Sequence, residues 1–153
     1  MTIAIEPIGY VRGGRSEATK DHWGLNRCSL TLRSERFTSA ALDGLEEVSH
    51  IEVIFYFHLH DDEAPELAAR HPRDRDDWPR VGIFAQHGRM RPNRIGASIC
   101  ELLKVQGTTV DVAGLDAVDG TPILDIKPVW SGYLPRGPLR EPQWAKEIMA
   151  NYW

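Results

Sequence analysis

Apolar positions along this chain recur mostly at every second residue, in short runs cut by glycine, proline and aspartate. That period predicts strands and turns rather than long helices. A first strand is expected over residues 3–11, with Pro7 marking an edge or a bulge. Residues 13–17 and 21–24 read as loop. Cys28-Ser29-Leu30-Thr31-Leu32 alternates apolar and polar, the pattern of a half-buried strand. Residues 38–45 fit a short helix or turn ending at Asp43-Gly44. A long strand is expected over 48–59, rich in β-branched and aromatic residues. The composition then turns polar: 63–70 suits a short helix, and 71–77 an exposed, mobile loop. Strands resume at 81–86, at 97–105, and at 108–112 beyond a Gln106-Gly107 hairpin turn. Asp119-Gly120 signals a tight turn before a last strand at 123–129. Residues 131–142 are punctuated by glycine and proline. Pro142 suits the first turn of a closing helix, in which Trp144 and Ile148, then Ala145 and Met149, fall four apart and share a face.

The sum is six or seven short strands, little helix and no alternation of strand with helix. The expected fold is mainly β: a single antiparallel β-barrel domain over residues 1–153, with short helices and an aromatic helical tail from 138. Closure removes the unpaired edges that so many strands would otherwise expose.

Composition adds bounds. With 153 residues, 42% hydrophobic and 26% charged, the chain suits one domain with a real core. A net charge of −4 argues against a protein that grips nucleic acid with its whole surface, so any such contact is focal. Cys28 and Cys100 lack metal spacing and read as buried thiols of a reducing compartment. No apolar segment is long enough to cross a membrane and no signal pattern opens the chain, which makes the cytoplasm the expected location.

Three stretches carry candidate chemistry. In Val81-Gly82-Ile83-Phe84-Ala85-Gln86-His87-Gly88-Arg89-Met90-Arg91-Pro92-Asn93-Arg94-Ile95-Gly96 a buried strand gives way to a basic loop. Pro92 keeps Arg91 out of the helical region, and Gly88 and Gly96 stand where the backbone can turn or approach a ligand closely. Arg89, Arg91 and Arg94 either pair with nearby carboxylates or hold an anionic partner. The turn Asp116-Ala117-Val118-Asp119-Gly120-Thr121-Pro122 either satisfies its own backbone or presents carboxylates to the cationic end of a ligand. His58-Leu59-His60 before Asp61-Asp62-Glu63 invites a metal, but no third and fourth ligands stand at defined spacing, so none is expected. Ile54-Phe55-Tyr56-Phe57 reads as core, and no arrangement for nucleophilic catalysis stands out. The aromatic tail must bury its apolar face on its own barrel or on a second copy.

Four stretches together resemble the TsaA-like (TrmO-like) family of β-barrel methyltransferases. They are Gly44-Leu45-Glu46-Glu47-Val48-Ser49-His50-Ile51 running into Phe57-His58; Gly82-Ile83-Phe84-Ala85; Arg91-Pro92-Asn93 with Ile95-Gly96; and Leu115-Asp116 with Asp119-Gly120-Thr121-Pro122 and Leu124-Asp125-Ile126-Lys127-Pro128. The resemblance implies a dimeric enzyme that uses S-adenosylmethionine. It also implies a tRNA substrate, with methylation at N6 of threonylcarbamoyl-adenosine beside the anticodon. Cofactor contacts are then expected at Asp21, His22, Trp23, His58, Leu59, His87, Arg89, Ala97, Asp116, Ala117, Val118 and Asp119. Arg89, Arg91, Asn93 and Arg94 would hold RNA, and Asp119 and His58 are the candidate bases. This chain departs from the pattern in two places: His87 stands where arginine is usual, with Arg89 as substitute, and Arg94 replaces a second proline. The C-terminal domain of some relatives is expected to be replaced by the aromatic tail. Alternatives are a different RNA or small-molecule substrate, or a barrel that binds S-adenosylmethionine or a nucleotide without catalysis.

Overall fold

Eight strands form in chain order: β1 (Gly9–Arg12), β2 (Arg27–Leu32), β3 (His50–Tyr56), β4 (Ala69–Arg70), β5 (Val81–Gly82), β6 (Ile95–Gln106), β7 (Thr109–Ala113) and β8 (Pro122–Pro128). One helix, α1 (Gln143–Met149), follows them. The computed structural model describes residues 1–153. Six strands close into an antiparallel barrel in the order β1-β2-β7-β6-β3-β8, and β4 pairs with β5 outside it. Alternation decides which side chains enter. Val11, Leu30, Ile51, Val53, Val110 and Ile123 are fully buried inside, while their neighbours in sequence face out. Each such aliphatic side chain contributes roughly 1.5–3 kcal/mol by leaving water. Cys28 and Cys100 are free and sit in the same core. Burial pushes their thiols up to about 11 and about 12.

Because every barrel pair is antiparallel, connections alternate between the two rims. Residues 13–26, 57–94 and 114–121 all emerge at one rim. Residues 33–49 and the turn between β6 and β7 occupy the other.

Several sequence expectations change. The first strand begins at Gly9, not residue 3, because Pro7 offers no N–H; Ile3 and Ile5 are exposed. The third strand runs from His50 to Tyr56 rather than 48–59, and His58–His60 is a single 3₁₀ turn. No helix forms over 63–70. Pro65 disfavours it, and the local N–H groups go elsewhere: Glu66 donates to the Met90 carbonyl at 2.8 Å. The apolar run at 81–86 pairs only at Val81–Gly82, then coils through Ile83–Ala85, burying Ile83 and exposing Phe84. Residues 71–77 are not a free loop. Pro72 is buried, and Arg73 is ion-paired with Asp21.

Candidate functional site

The groups gathered at the first rim are bound to one another through backbone as well as side chains. Gly13 and Gly14 both have φ of +73°, which turns the chain tightly after β1. Gly13 N–H then donates to Asp119 Oδ1 at 2.8 Å, and Asp119 N–H donates to the Arg15 carbonyl at 2.8 Å. Asn26, buried at the foot of β2, donates through Nδ2 to the Leu115 carbonyl at 2.8 Å and accepts from Arg15 N–H. A buried amide satisfied on both sides locks the 13–26 and 114–121 connections together. Asn26 had no sequence signal beyond its place before a strand, and it organises the rim.

The Asp21-His22-Trp23 segment is held from three directions. Trp23 is buried, and the Arg15 guanidinium stacks 4.6 Å above its ring while donating to the Asp21 and His22 carbonyls. Arg73 makes two hydrogen bonds to the Asp21 carboxylate, at 2.7 and 3.1 Å. These bonds hold the Asp21 carboxyl below its usual range. His22 has φ of +63°, and its N–H donates to the Asn151 carbonyl.

His58 supplies the third wall. A Cβ placed on Gly120 would lie 3.9 Å from His58 Nε2, so the imidazole stands over the Asp119-Gly120 turn. Within the chain its ring makes no hydrogen bond. His60, by contrast, is bonded to Glu63, which lowers the Glu63 carboxyl. Leu59 is half exposed beside it. Among the aspartates, Asp119 is exposed, with one oxygen on Gly13. Asp116 accepts from the Tyr152 hydroxyl through Oδ2, and its Oδ1 is buried without a partner. Ala117 and Val118 are buried beneath them.

The basic loop divides into different environments. Arg89, His87 and Asn93 are exposed, and Arg89 has no ion pair. Arg91 is half-buried, with Nη1 on the Gln86 carbonyl. Arg94 is only 8% exposed. Its φ of +50° turns it beneath the loop, where it donates to the Glu63 carbonyl. Its Nη1 is buried without a partner. Burial corrects the picture of three arginines displayed together. Ala97 also stands apart, exposed on the outer wall of β6 opposite Ile54. Gly96 does meet a close approach, but from the Phe55 and Phe57 rings rather than from a ligand.

A closed antiparallel barrel with acidic, histidine and arginine groups on one rim defines the class. The chain belongs to the family of tRNA-methyltransferase O N-terminal domains, whose model matches residues 21–133. A tRNA (adenine(37)-N6)-methyltransferase of Escherichia coli is 39% identical over 143 residues, covering 88% of this chain and 59% of its own. A probable S-adenosyl-L-methionine-binding protein of Methanothermobacter thermautotrophicus is 34% identical over 134 residues, covering 85% of this chain and 92% of its own. The crystal structure of TrmO from Pseudomonas aeruginosa superimposes with a TM-score of 0.73 at 31% identity, over 92% of this chain and 62% of that one. The chain spans just over half the length of several curated relatives it matches, 55% in one case and 59% in another.

Proposed function

We propose that this chain is the S-adenosylmethionine-binding barrel of a tRNA adenosine N6-methyltransferase, acting on threonylcarbamoyl-adenosine beside the anticodon. The observation that carries the reading is the convergence of Asp116, Asp119, His58 and the Asp21-His22-Trp23 segment on one rim. These residues fit the cofactor. The Asp116 oxygen buried without a partner is an acceptor for a hydroxyl or ammonium donor. The exposed Asp119 carboxylate offsets positive charge, and Leu59 supplies apolar surface, while Ala117 and Val118 are buried and support the turn from beneath. When bound, S-adenosylmethionine supplies a methyl group on a sulfonium sulfur.

Positioning is the chain's main contribution, and holding two reactants in line supplies roughly 7–11 kcal/mol of such a barrier. The N6 proton of the substrate must leave, and on this reading its removal is assigned to His58 or Asp119. The His58 ring is uncommitted within the chain, and Asp119 keeps one oxygen free of Gly13. RNA phosphates, or the threonyl carboxylate, fall to Arg89, with Asn93 beside it and Arg91 fixing the loop. His87 leaves Arg89 as the cation of that stretch. Arg94 is assigned to holding the loop from below, because a buried guanidinium does not reach a macromolecule.

The reading extends to a homodimer in the cytoplasm. An apolar strip on the outer wall of β6, where Ile95, Ile99 and Leu103 are 37%, 45% and 39% exposed, supports a second copy there, which would also cover Ala97. Two free thiols support a reducing compartment. A second reading, a barrel that binds S-adenosylmethionine without transferring methyl, draws on the archaeal relative of similar length named only as a binding protein.

Purified protein, labelled S-adenosylmethionine and tRNA from cells lacking the modification separate the two. Methyl recovered at N6 of threonylcarbamoyl-adenosine in the nucleoside mass spectrum supports the enzyme. Calorimetric cofactor binding with no transfer supports the binding barrel, and no binding at all refutes both. Asp119→Asn should weaken cofactor binding.

A further inference from the structure

Residues 143–153 return to the functional rim and are bonded into it at several points. The Asn151 and Tyr152 carbonyls accept from His22 and Trp23 N–H groups at 2.9 and 2.7 Å. Trp78 Nε1 donates to Glu147 Oε2 at 2.7 Å, which anchors α1 on the segment that carries Arg73. Gly24 lies so close that a Cβ there would meet the Trp153 carbonyl carbon at 2.8 Å. Tyr152 and Trp153 stack edge to face, with ring centroids 4.9 Å apart. Tyr152 enters far enough for its hydroxyl to reach Asp116, 36 residues away in sequence.

This contact is asymmetric. Oδ2 of Asp116 is taken by the phenol, while Oδ1 is buried and has no partner in the chain. A carboxylate with no such partner can rotate about its last side-chain bond and exchange its two oxygens. Tyr152 removes that freedom by holding one oxygen, and thereby directs the other. Burial and the nearby carboxylate raise the Tyr152 hydroxyl far above its ordinary value, so it stays a proton donor throughout the working pH range.

Resting on the cofactor reading above, we propose that Tyr152 is a positioning residue: it fixes Asp116 so that Oδ1 accepts a hydrogen bond from a hydroxyl or ammonium group of bound S-adenosylmethionine. Residues 143–153 then form part of the cofactor site rather than packing alone. The backbone bonds to His22 and Trp23 tie the same segment to a second wall.

The test is calorimetry of S-adenosylmethionine binding to wild type, Tyr152→Phe, Asp116→Asn and the double variant. Phenylalanine keeps the ring and its packing, and thermal unfolding checks that each variant is folded. Losing a hydrogen bond to a charged group predicts about tenfold weaker binding by Tyr152→Phe. The double variant should bind no more weakly than Asp116→Asn, since one residue acts through the other. Wild-type affinity in Tyr152→Phe overturns the proposal while leaving the cofactor reading intact. Losses that add fully in the double variant also overturn it, because they make Tyr152 a separate structural contributor. No binding by wild-type protein removes the cofactor reading itself, and this proposal with it.

Discussion

Gly96→Ala tests how the barrel supports His58. Gly96 points inward from β6, and a Cβ there would lie 2.5 Å from two Phe55 ring carbons and 3.0 Å from Phe57 Cζ. Comfortable carbon contacts lie at about 3.5–4.0 Å, so the rings must retreat by roughly 1 Å. Phe55 is 2% exposed and cannot move outward. Its neighbour Phe57, packed edge to face at 5.2 Å, leads directly into His58. The added methyl therefore destabilises the barrel by about 1–3 kcal/mol and displaces the start of the His58 turn. At about 2–4 °C per kcal/mol for a chain of this size, the melting temperature should fall by roughly 2–12 °C. Thermal unfolding by circular dichroism reads this directly. Adding Phe55→Leu, which removes ring atoms from the clash, should cost less in Gly96→Ala than in wild type. A melting temperature unchanged within about 1 °C would falsify the packing argument. So would strictly additive losses in the pair.

Other outcomes follow from local geometry. Gly120 has φ of +81°, and its Cβ would make only an ordinary contact with His58, so Gly120→Ala should lose about 1–2 kcal/mol through backbone strain alone; an unchanged urea midpoint would rule that strain out. Arg73 depresses the Asp21 carboxyl, so the stabilisation from this pair is present above the ordinary carboxylate pKa and disappears as pH falls through the lower folded value. The melting-temperature gap between wild type and Arg73→Ala should thus be widest near neutrality and close in acid. With the two side chains 21% and 29% exposed, it should amount to about 1 kcal/mol or less, and a gap that widens in acid would contradict the assignment. With thiols pushed up to about 11 and about 12, Cys28 and Cys100 should resist Ellman's reagent at pH 8 until urea unfolds the chain, and prompt reaction of the native protein would disprove their burial.

Much of the barrel was legible because alternation and turn dipeptides act locally. Cys28 to Leu32 and the turn at Asp119-Gly120 fall where their residue types place them, and the β6–β7 reversal lies one residue on from the expected Gln106-Gly107, at Gly107-Thr108, with Gln106 paired to Thr109. Residues 57–94 were harder, since their backbone bonds run between distant segments, as from Ile83 N–H to the Ala68 carbonyl. The acidic turn could be read as a possible ligand wall, whereas its ties to Asn26, Arg15 and Tyr152 span long sequence separations that no local pattern encodes. Arg94 shows the limit most clearly. Charge suggests a surface position, but a left-handed turn carried the guanidinium inward to the Glu63 carbonyl.

The two-residue reversal between β6 and β7, Gly107-Thr108, lies at the opposite end of the cylinder from every residue invoked in cofactor or RNA binding, and Gly107 there, at φ of +61°, holds a backbone conformation that any side chain would strain. The exposed Gln106 just before it is the natural handle for a fluorophore or a surface tether. A label attached there would report on the protein's tumbling, or immobilise it mouth outward, without intruding on the chemistry.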